Sequence, residues 1–414
     1  MTGTTNNTQI NGDRLWQTIM CSGEIGRGRS TGLSRLTLSD ADKEVRDLFV
    51  SWCEEAGCTV TIDRVGSIFA RRVGTDEGLA PVLIGSHLDT QAAGGKYDGI
   101  LGVMAGLEII RTLNDLNIST RRSIEVVNWT NEEGARFIPP ITASGAFIGD
   151  FDVNWVLDLQ DDDGKRFGDE LERIGYNGSA SVGGRDIDAY YELHIEQGPE
   201  LDAEGINVGI VTGGYHTVGL KLEVHGETAH SGPTPMDKRR NALVGAAMLI
   251  VATNEIGWTR YPLGKSTAPR ISCWPNRTGI LPEYAQITVD FRHPDGAETE
   301  AMVREFEAKI PECAQRAQVD IDVVQRWSFG SEEFDEVCIE GVRLAAKDLG
   351  IEYREMLSQA GHDAYNLTRY CPSALIFAPC REGISHNEAE HIDLETTLPS
   401  VNVLLHAVLK RANR

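Results

Sequence analysis

The sequence predicts an α/β protein: a catalytic α/β domain in two sequence segments, with a smaller α+β domain inserted between them. Three observations carry this. From about residue 40 to residue 130, short apolar runs alternate with stretches of helical apolar spacing. Between Gly213 and about Arg326 the pattern changes to longer runs of strict alternation around one long helix. From about Phe329 helix and strand return, which places the boundaries at 1–212, 213–326 and 327–414.

Taken in order, Ser39 or Asp40 caps a helix to Ala56 on which Val45, Leu48, Phe49, Trp52 and Cys53 share a face. A hairpin-like stretch, Thr59–Val73, follows. Pro81–Gly85 is a short apolar run that ends in Gly-Ser and leads to the glycine-rich loop Ala93–Gly99. From Ile100 the spacing of Leu101, Met104, Leu107 and Ile110 is helical, and Ser123–Trp129 reads as a strand. Such an alternation puts polar residues at strand ends, where α/β sheets carry their sites. In the insert, Val218, Leu220, Leu222 and Val224 alternate with polar residues, a helix spans about 240–254, and Gln286–Arg292 alternates again. In the last segment Cys338–Lys347 and Leu394–Arg411 read as helices and Ser373–Pro379 as a strand.

The 414 residues carry 62 acidic against 39 basic side chains, a net charge of −23, which disfavours nucleic acid and anionic membrane as partners. With 41% hydrophobic residues the chain can bury a large core. The longest apolar run, Ala242–Thr253, falls short of the roughly 20 residues of a spanning helix and reads as one side of a buried or interface helix. The polar stretch Met1–Trp16 lacks the basic-then-apolar layout of a secretory signal, so a cytoplasmic protein is expected. Eight scattered cysteines with no C-x-x-C pair read as reduced thiols rather than a disulfide scaffold or zinc knuckle.

Three segments concentrate histidine and carboxylate next to strand ends. In His87-Leu-Asp89, alternation sends His87 and Asp89 to one side, so that Asp89 can support a metal-binding His87; Asp98 follows after the glycines. In Asn131-Glu132-Glu133-Gly134, two adjacent carboxylates repel unless a cation lies between them and each has its own task. The third is Glu192-Leu-His194-Ile-Glu196-Gln197-Gly198. Each alone is more often a surface feature. Together, in a chain with ten histidines, they favour a metal site of mixed imidazole and carboxylate ligands, a set that suits zinc, with manganese or cobalt as alternatives.

The motifs G-S-H-L-D-T (Gly85–Thr90), G-G-K-Y-D-G (Gly94–Gly99), N-E-E-G-A-R-F (Asn131–Phe137), H-I-E-Q-G-P (His194–Pro199), H-S-G-P-T-P-M (His230–Met236), R-H-P-D (Arg292–Asp295), G-H-D-A (Gly361–Ala364) and G-I-S-H-N (Gly383–Asn387) occur in this order. From about Arg14 to about His406 the chain resembles the amidase/carbamoylase branch of the dinuclear zinc aminoacylase and carboxypeptidase superfamily. That branch includes N-carbamoyl-L-amino-acid hydrolases, β-ureidopropionases and allantoate amidohydrolases. The resemblance implies a catalytic domain of the dinuclear zinc exopeptidase type with an inserted lid and dimerisation domain. It implies two divalent ions, zinc first, held by His87, Asp98, Glu133, His194 and His386, with Asp98 bridging. Glu132 matches the general base, and Asp89 the partner of His87.

His230 resembles the histidine that a neighbouring subunit donates to the oxyanion of the tetrahedral intermediate, which requires a homodimer; read alone it is more often a local hydrogen-bond donor. Arg292 matches the arginine that binds the substrate carboxylate. Gln197 and His362 match polar substrate contacts and equally fit satisfied buried polar groups. One departure stands out. Where the family reads P-N-x-x-N-[VI]-[IV]-P-G, this chain has Pro275–Glu283, with Gly279 in place of the second asparagine and Glu283 in place of the last glycine; either Asn276 or Arg277 compensates, or the substrate is different at that end. The implied activity is hydrolysis of an N-carbamoyl-L-amino acid to the amino acid, ammonia and carbon dioxide, with allantoate or N-carbamoyl-β-alanine as alternative substrates. A binding protein that kept only the fold is the alternative outside enzymes, and every matched position is intact.

Overall fold

The computed structural model describes residues 8–414. They form two compact units: the chain up to Gly213 together with Glu332–Arg414, and the insert Gly214–Ser331. The sequence reading ended the insert at 326, but the last strand of that unit continues to Phe329, and the unit closes at Ser331.

The first unit is built on an eight-stranded sheet. Its strands are β1 (Thr59–Ile62), β2 (Ile68–Arg72), β3 (Val82–His87), β4 (Ile124–Trp129), β5 (Ala189–Ile195) and β6 (Gly209–Gly214), then, after the insert, β11 (Arg354–Ser358) and β12 (Ser373–Ala378). The spatial order is β1-β2-β4-β3-β5-β12-β6-β11. The central four, β4-β3-β5-β12, are parallel, while β2 and β6 join them antiparallel. These four strands are buried along their whole length, which is why they read as continuous apolar runs rather than alternating ones.

Helix Ile100–Asp115 connects β3 to β4 and is buried over most of its length. Helix Asp40–Glu55 starts where the Ser39 side chain accepts the Asp42 N–H, and it buries Val45, Phe49 and Cys53. On the same helix Arg46 and Asp42 form a fully buried ion pair at 2.8 Å. The eight cysteines are free thiols, and only Cys21 among them is exposed.

The second unit has a four-stranded antiparallel sheet, β7 (His216–His225), β8 (Lys265–Trp274), β9 (Tyr284–His293) and β10 (Asp320–Phe329), in the order β10-β7-β9-β8. Helices Ala242–Thr259 and Gly296–Ala317 pack on it, burying Val218, Leu220, Leu222 and Val224 against Ile287, Val289, Leu249 and Phe306. Asp295, the last residue of R-H-P-D, caps the second helix by accepting the Ala297 N–H at 2.8 Å. The first helix is 18 residues long and apolar enough by length and composition to cross a membrane. Its inner side, Ala242, Ala246, Leu249 and Ile256, closes the core of this unit. Its outer side shows Val244, Val251 and Trp258 at 41%, 56% and 68% exposure, one stripe at intervals of seven residues.

Candidate active site

Because β4, β3, β5 and β12 run parallel, their C-terminal ends lie along one edge of the sheet, and each delivers a polar residue there. His87 ends β3, His194 is the penultimate residue of β5, Glu132 and Glu133 follow β4 within four residues, and His386 lies in the loop after β12. Asp98 sits in the turn that starts helix Ile100–Asp115. Asn131, Gln197 and His386 adopt left-handed backbone with φ of 60°, 58° and 51°, conformations that non-glycine residues hold only where the surroundings enforce them. Gly99 is obligatory for two reasons: its φ is +68°, and a Cβ there would stand 2.3 Å from the His87 ring.

The side chains form two groups that share Asp98. His87, Asp98 and His194 make one, and Asp98, Glu133 and His386 the other, with the potential ligand atoms of each group within 4.8 Å of one another. Asp98 Oδ1 lies 3.6 Å from His87 Nε2 and 3.1 Å from His194 Nε2. Its Oδ2 lies 3.5 Å from His386 Nε2, which is also 3.3 Å from Glu133 Oε2. Both buried histidines donate Nδ1–H to a backbone carbonyl at 2.9 Å, His87 to Asp89 and His194 to Ile195, which turns the Nε2 lone pair toward Asp98; on His194 that nitrogen also accepts the Gly99 N–H at 3.0 Å. His87 Nε2 is buried and makes no hydrogen bond. An orphaned imidazole nitrogen among carboxylates is what a divalent cation satisfies, so this donor set fits bound metal.

Glu132 belongs to neither group but adjoins the first, with Oε2 3.3 Å from His87 Nε2. Burial, reinforced by Asp363, Glu133 and Asp89, raises its pKa well above the usual carboxyl range against the pull of His87. Burial also works against charge on Asp98, yet His194, His87 and His386 hold its carboxyl well below the ordinary value. Glu133 foremost pushes His386 up to about 10. Burial opposes a proton on His87, but Glu132, Asp98 and Asp89 outweigh it and raise its pKa.

Asp89 supports His87 through its backbone carbonyl; its carboxylate stands 3.7 Å from Nδ1 and instead accepts Thr37 Oγ1 at 2.6 Å. Gln197 donates Nε2 to Asp98 Oδ2 at 2.7 Å. His362 is buried with its ring centroid 4.5 Å from that of His194, and its Nε2 meets Ser358 Oγ at 3.2 Å. Burial, then the His194 charge, lowers the pKa of His362, so it is neutral. Within the inserted unit His230 is exposed and its Nδ1 accepts the Gly232 N–H at 3.1 Å, which leaves the ring hydrogen on Nε2. Arg292 donates Nε to Asp290 Oδ1 at 2.9 Å. Asn276 is exposed, and Gly279 has a φ of +89° with nothing within 4 Å of a Cβ position.

Three supporting residues lay outside the sequence reading. Gln91 donates to both Glu133 carboxylate oxygens, from N at 3.1 Å and from Nε2 at 2.8 Å. Ser385 donates to Asp98 Oδ2 at 2.7 Å, and Glu390 accepts the N–H groups of Tyr97 and Asp98 at 2.9 and 3.1 Å. The signal available was adjacency: Gln91 directly follows G-S-H-L-D-T, Ser385 is inside G-I-S-H-N, and Glu390 lies just beyond it.

Residues 83–410 match the profile of the peptidase family M20/M25/M40. The chain belongs to this family. It is 44% identical over 406 residues to an N-carbamoyl-L-amino-acid amidohydrolase of Rhizobium meliloti, covering 98% of each chain. The crystal structure of an amidase of the hydantoinase/carbamoylase family from Burkholderia vietnamiensis superposes with a TM-score of 0.96 at 43% identity, covering 99% of this M20-family chain and 100% of that one. Allantoate deiminase 1 of Glycine max is 27% identical, with 87% of this chain and 81% of that protein covered. The family is metal-dependent, in keeping with the donor groups around Asp98.

Proposed function

We propose that the protein hydrolyses N-carbamoyl-L-amino acids, with one water, to the amino acid, ammonia and carbon dioxide. The observation that carries the reaction type is a carboxylate shared by two ligand groups, with a separate, unshared Glu132 beside them. The substrate follows the relative from Rhizobium meliloti, to which the chain is similar from end to end. His87, Asp98 and His194 would hold one ion and Asp98, Glu133 and His386 the other, and zinc would suit these nitrogen and oxygen donors. When bound, the ions supply Lewis acidity, which acidifies water and polarises a carbonyl oxygen.

Glu132 takes the proton from the attacking water and passes it to the leaving nitrogen; its raised pKa suits both halves of that task. Arg292, oriented by Asp290, receives the substrate carboxylate. His230, with its ring hydrogen on Nε2, donates to the oxyanion in the neighbouring subunit of a homodimer. Asn276, Gln197 and His362 complete the substrate contacts in this reading. The inserted unit serves as lid and dimerisation surface, and the enzyme works in the cytoplasm.

A second reading, a larger ureido acid such as allantoate, draws on Gly279, which leaves open space where the family carries an asparagine side chain. Ammonia release by metal-loaded protein from N-carbamoyl-L-α-amino acids, N-carbamoyl-β-alanine and allantoate separates the two. The first reading expects the highest kcat/KM on an N-carbamoyl-L-α-amino acid. A clear preference for allantoate replaces it with the second, and no release from any of them overturns both.

A further inference from the structure

The segment 385–390 does more than supply His386. Ser385 Oγ lies 2.7 Å from Asp98 Oδ2 and 3.2 Å from Glu390 Oε2. The other Glu390 oxygen, Oε1, accepts the backbone N–H of Tyr97 at 2.9 Å and of Asp98 itself at 3.1 Å. One loop, nearly 290 residues away in sequence, therefore grips Asp98 at its side chain and at its backbone. Glu390 is only 6% exposed, so its bonds to the two backbone N–H groups are made out of water, where hydrogen bonds fix direction best, while those of Ser385 are partly buried.

We infer that Ser385 and Glu390 are positioning residues for the bridging carboxylate: they hold Asp98 in the rotation that divides its oxygens between the two metal groups. Asp98 Oδ1 faces His87 and His194, and Oδ2 faces His386 and accepts from both Ser385 Oγ and Gln197 Nε2 at 2.7 Å, so Ser385 and Gln197 share the hold on that oxygen. A carboxylate free to rotate could give both oxygens to one ion, and the second group would keep only Glu133 and His386. Ser385 acts on Oδ2, so its loss should be felt at the Glu133 and His386 ion far more than at the other. The hydroxyl has one hydrogen, which the contacts with Asp98 Oδ2 and Glu390 Oε2 share, the shorter being that to Asp98. A glutamine at 390 keeps Oε1 for the two N–H groups and lets Nε2 donate to Ser385 Oγ, whose single hydrogen then goes to Asp98 alone.

The inference rests on the two-metal reading, and one titration tests both while keeping them distinct. Metal-free protein is titrated with zinc against a chromophoric chelator, and bound metal per chain is measured by elemental analysis. Wild type is expected to bind two ions. Ser385→Ala should bind one ion with wild-type affinity and the second about tenfold to a hundredfold more weakly. Glu390→Ala should do at least the same, and Glu390→Gln should stay within about threefold of wild type, a rescue that loss of a buried charge would not allow. Ser385→Ala removes one oxygen atom, so it keeps the test open if Glu390→Ala fails to fold. Wild type without metal overturns the two-metal reading and this inference with it. Two tight sites in Ser385→Ala, or equal weakening of both sites together with a lower melting temperature, overturn the positioning role alone.

Discussion

Glu132 and Glu133 are neighbours in sequence with different surroundings. Glu133 faces His386 and is tied to Gln91, whereas Glu132 faces His87 and is pushed toward protonation by burial. Glu132→Gln should therefore keep both metals while turnover falls by about 10²–10⁴-fold, the usual worth of a general base. If metal content drops instead and excess metal restores the rate, the two roles must be exchanged. Arg292→Ala removes a carboxylate partner worth about 2–5 kcal/mol in a closed site, so kcat/KM should fall about thirtyfold to a few thousandfold. The loss should shrink for a substrate whose carboxylate is an amide; equal loss on both substrates would make Arg292 structural. Gly279→Asn has the space it needs, in a left-handed conformation that asparagine tolerates better than most residues. Turnover of simple N-carbamoyl-α-amino acids should hold or improve, and a severe loss would mean that the open space serves a bulkier substrate.

At the scale of elements, the turn from β1 to β2 carries an internal pH dependence. Asp63 Oδ1 accepts the N–H groups of Val65 and Ser67 at 3.0 and 2.9 Å, while Oδ2 is buried without a partner. Burial pushes this carboxyl up to about 7. Between about pH 4 and pH 7 the folded state thus holds a proton that the unfolded chain releases, so this group's contribution falls as pH rises through that window and levels off above it. Asp63→Asn keeps the acceptor and removes the titration. Its stability relative to wild type, from urea midpoints, should rise between pH 5 and pH 8 by on the order of 1–3 kcal/mol; a pH-independent difference would show that Asp63 stays ionised.

The elements legible in the sequence share one property. The central strands β3, β4 and β12, the capped helix after Ser39 and the buried faces of β7 and β9 all have a core to pattern against. The sequence pattern shows no strand at β5, β6, β8, β10 or β11; of these, β8 and β10 lie at the two edges of their sheet, and neither has a buried residue along its length. Helix Gly296–Ala317 was missed because charged residues interrupt its apolar spacing. In the site, residues within motifs were legible, but Gln91, Ser385 and Glu390 act through contacts that only the folded chain brings together.

For the whole molecule, the exposed stripe Val244, Val251 and Trp258 is apolar surface, and in the proposed homodimer a second copy of the inserted unit would cover it. If His230 reaches a neighbour's site across such a contact, two inactive proteins should complement each other. Glu132→Ala and His230→Ala are mixed in equal amounts after reversible dissociation. Each mixed dimer then has one site with both defects and one with intact Glu132 and the partner subunit's intact histidine. About half of the dimers are mixed and each has one good site of two, so activity should return to about one quarter of wild type. A histidine serving its own subunit leaves every site lacking one group or the other, and then the mixture stays silent. Differently tagged chains verify that subunits have exchanged, so silence after exchange rules out the shared site.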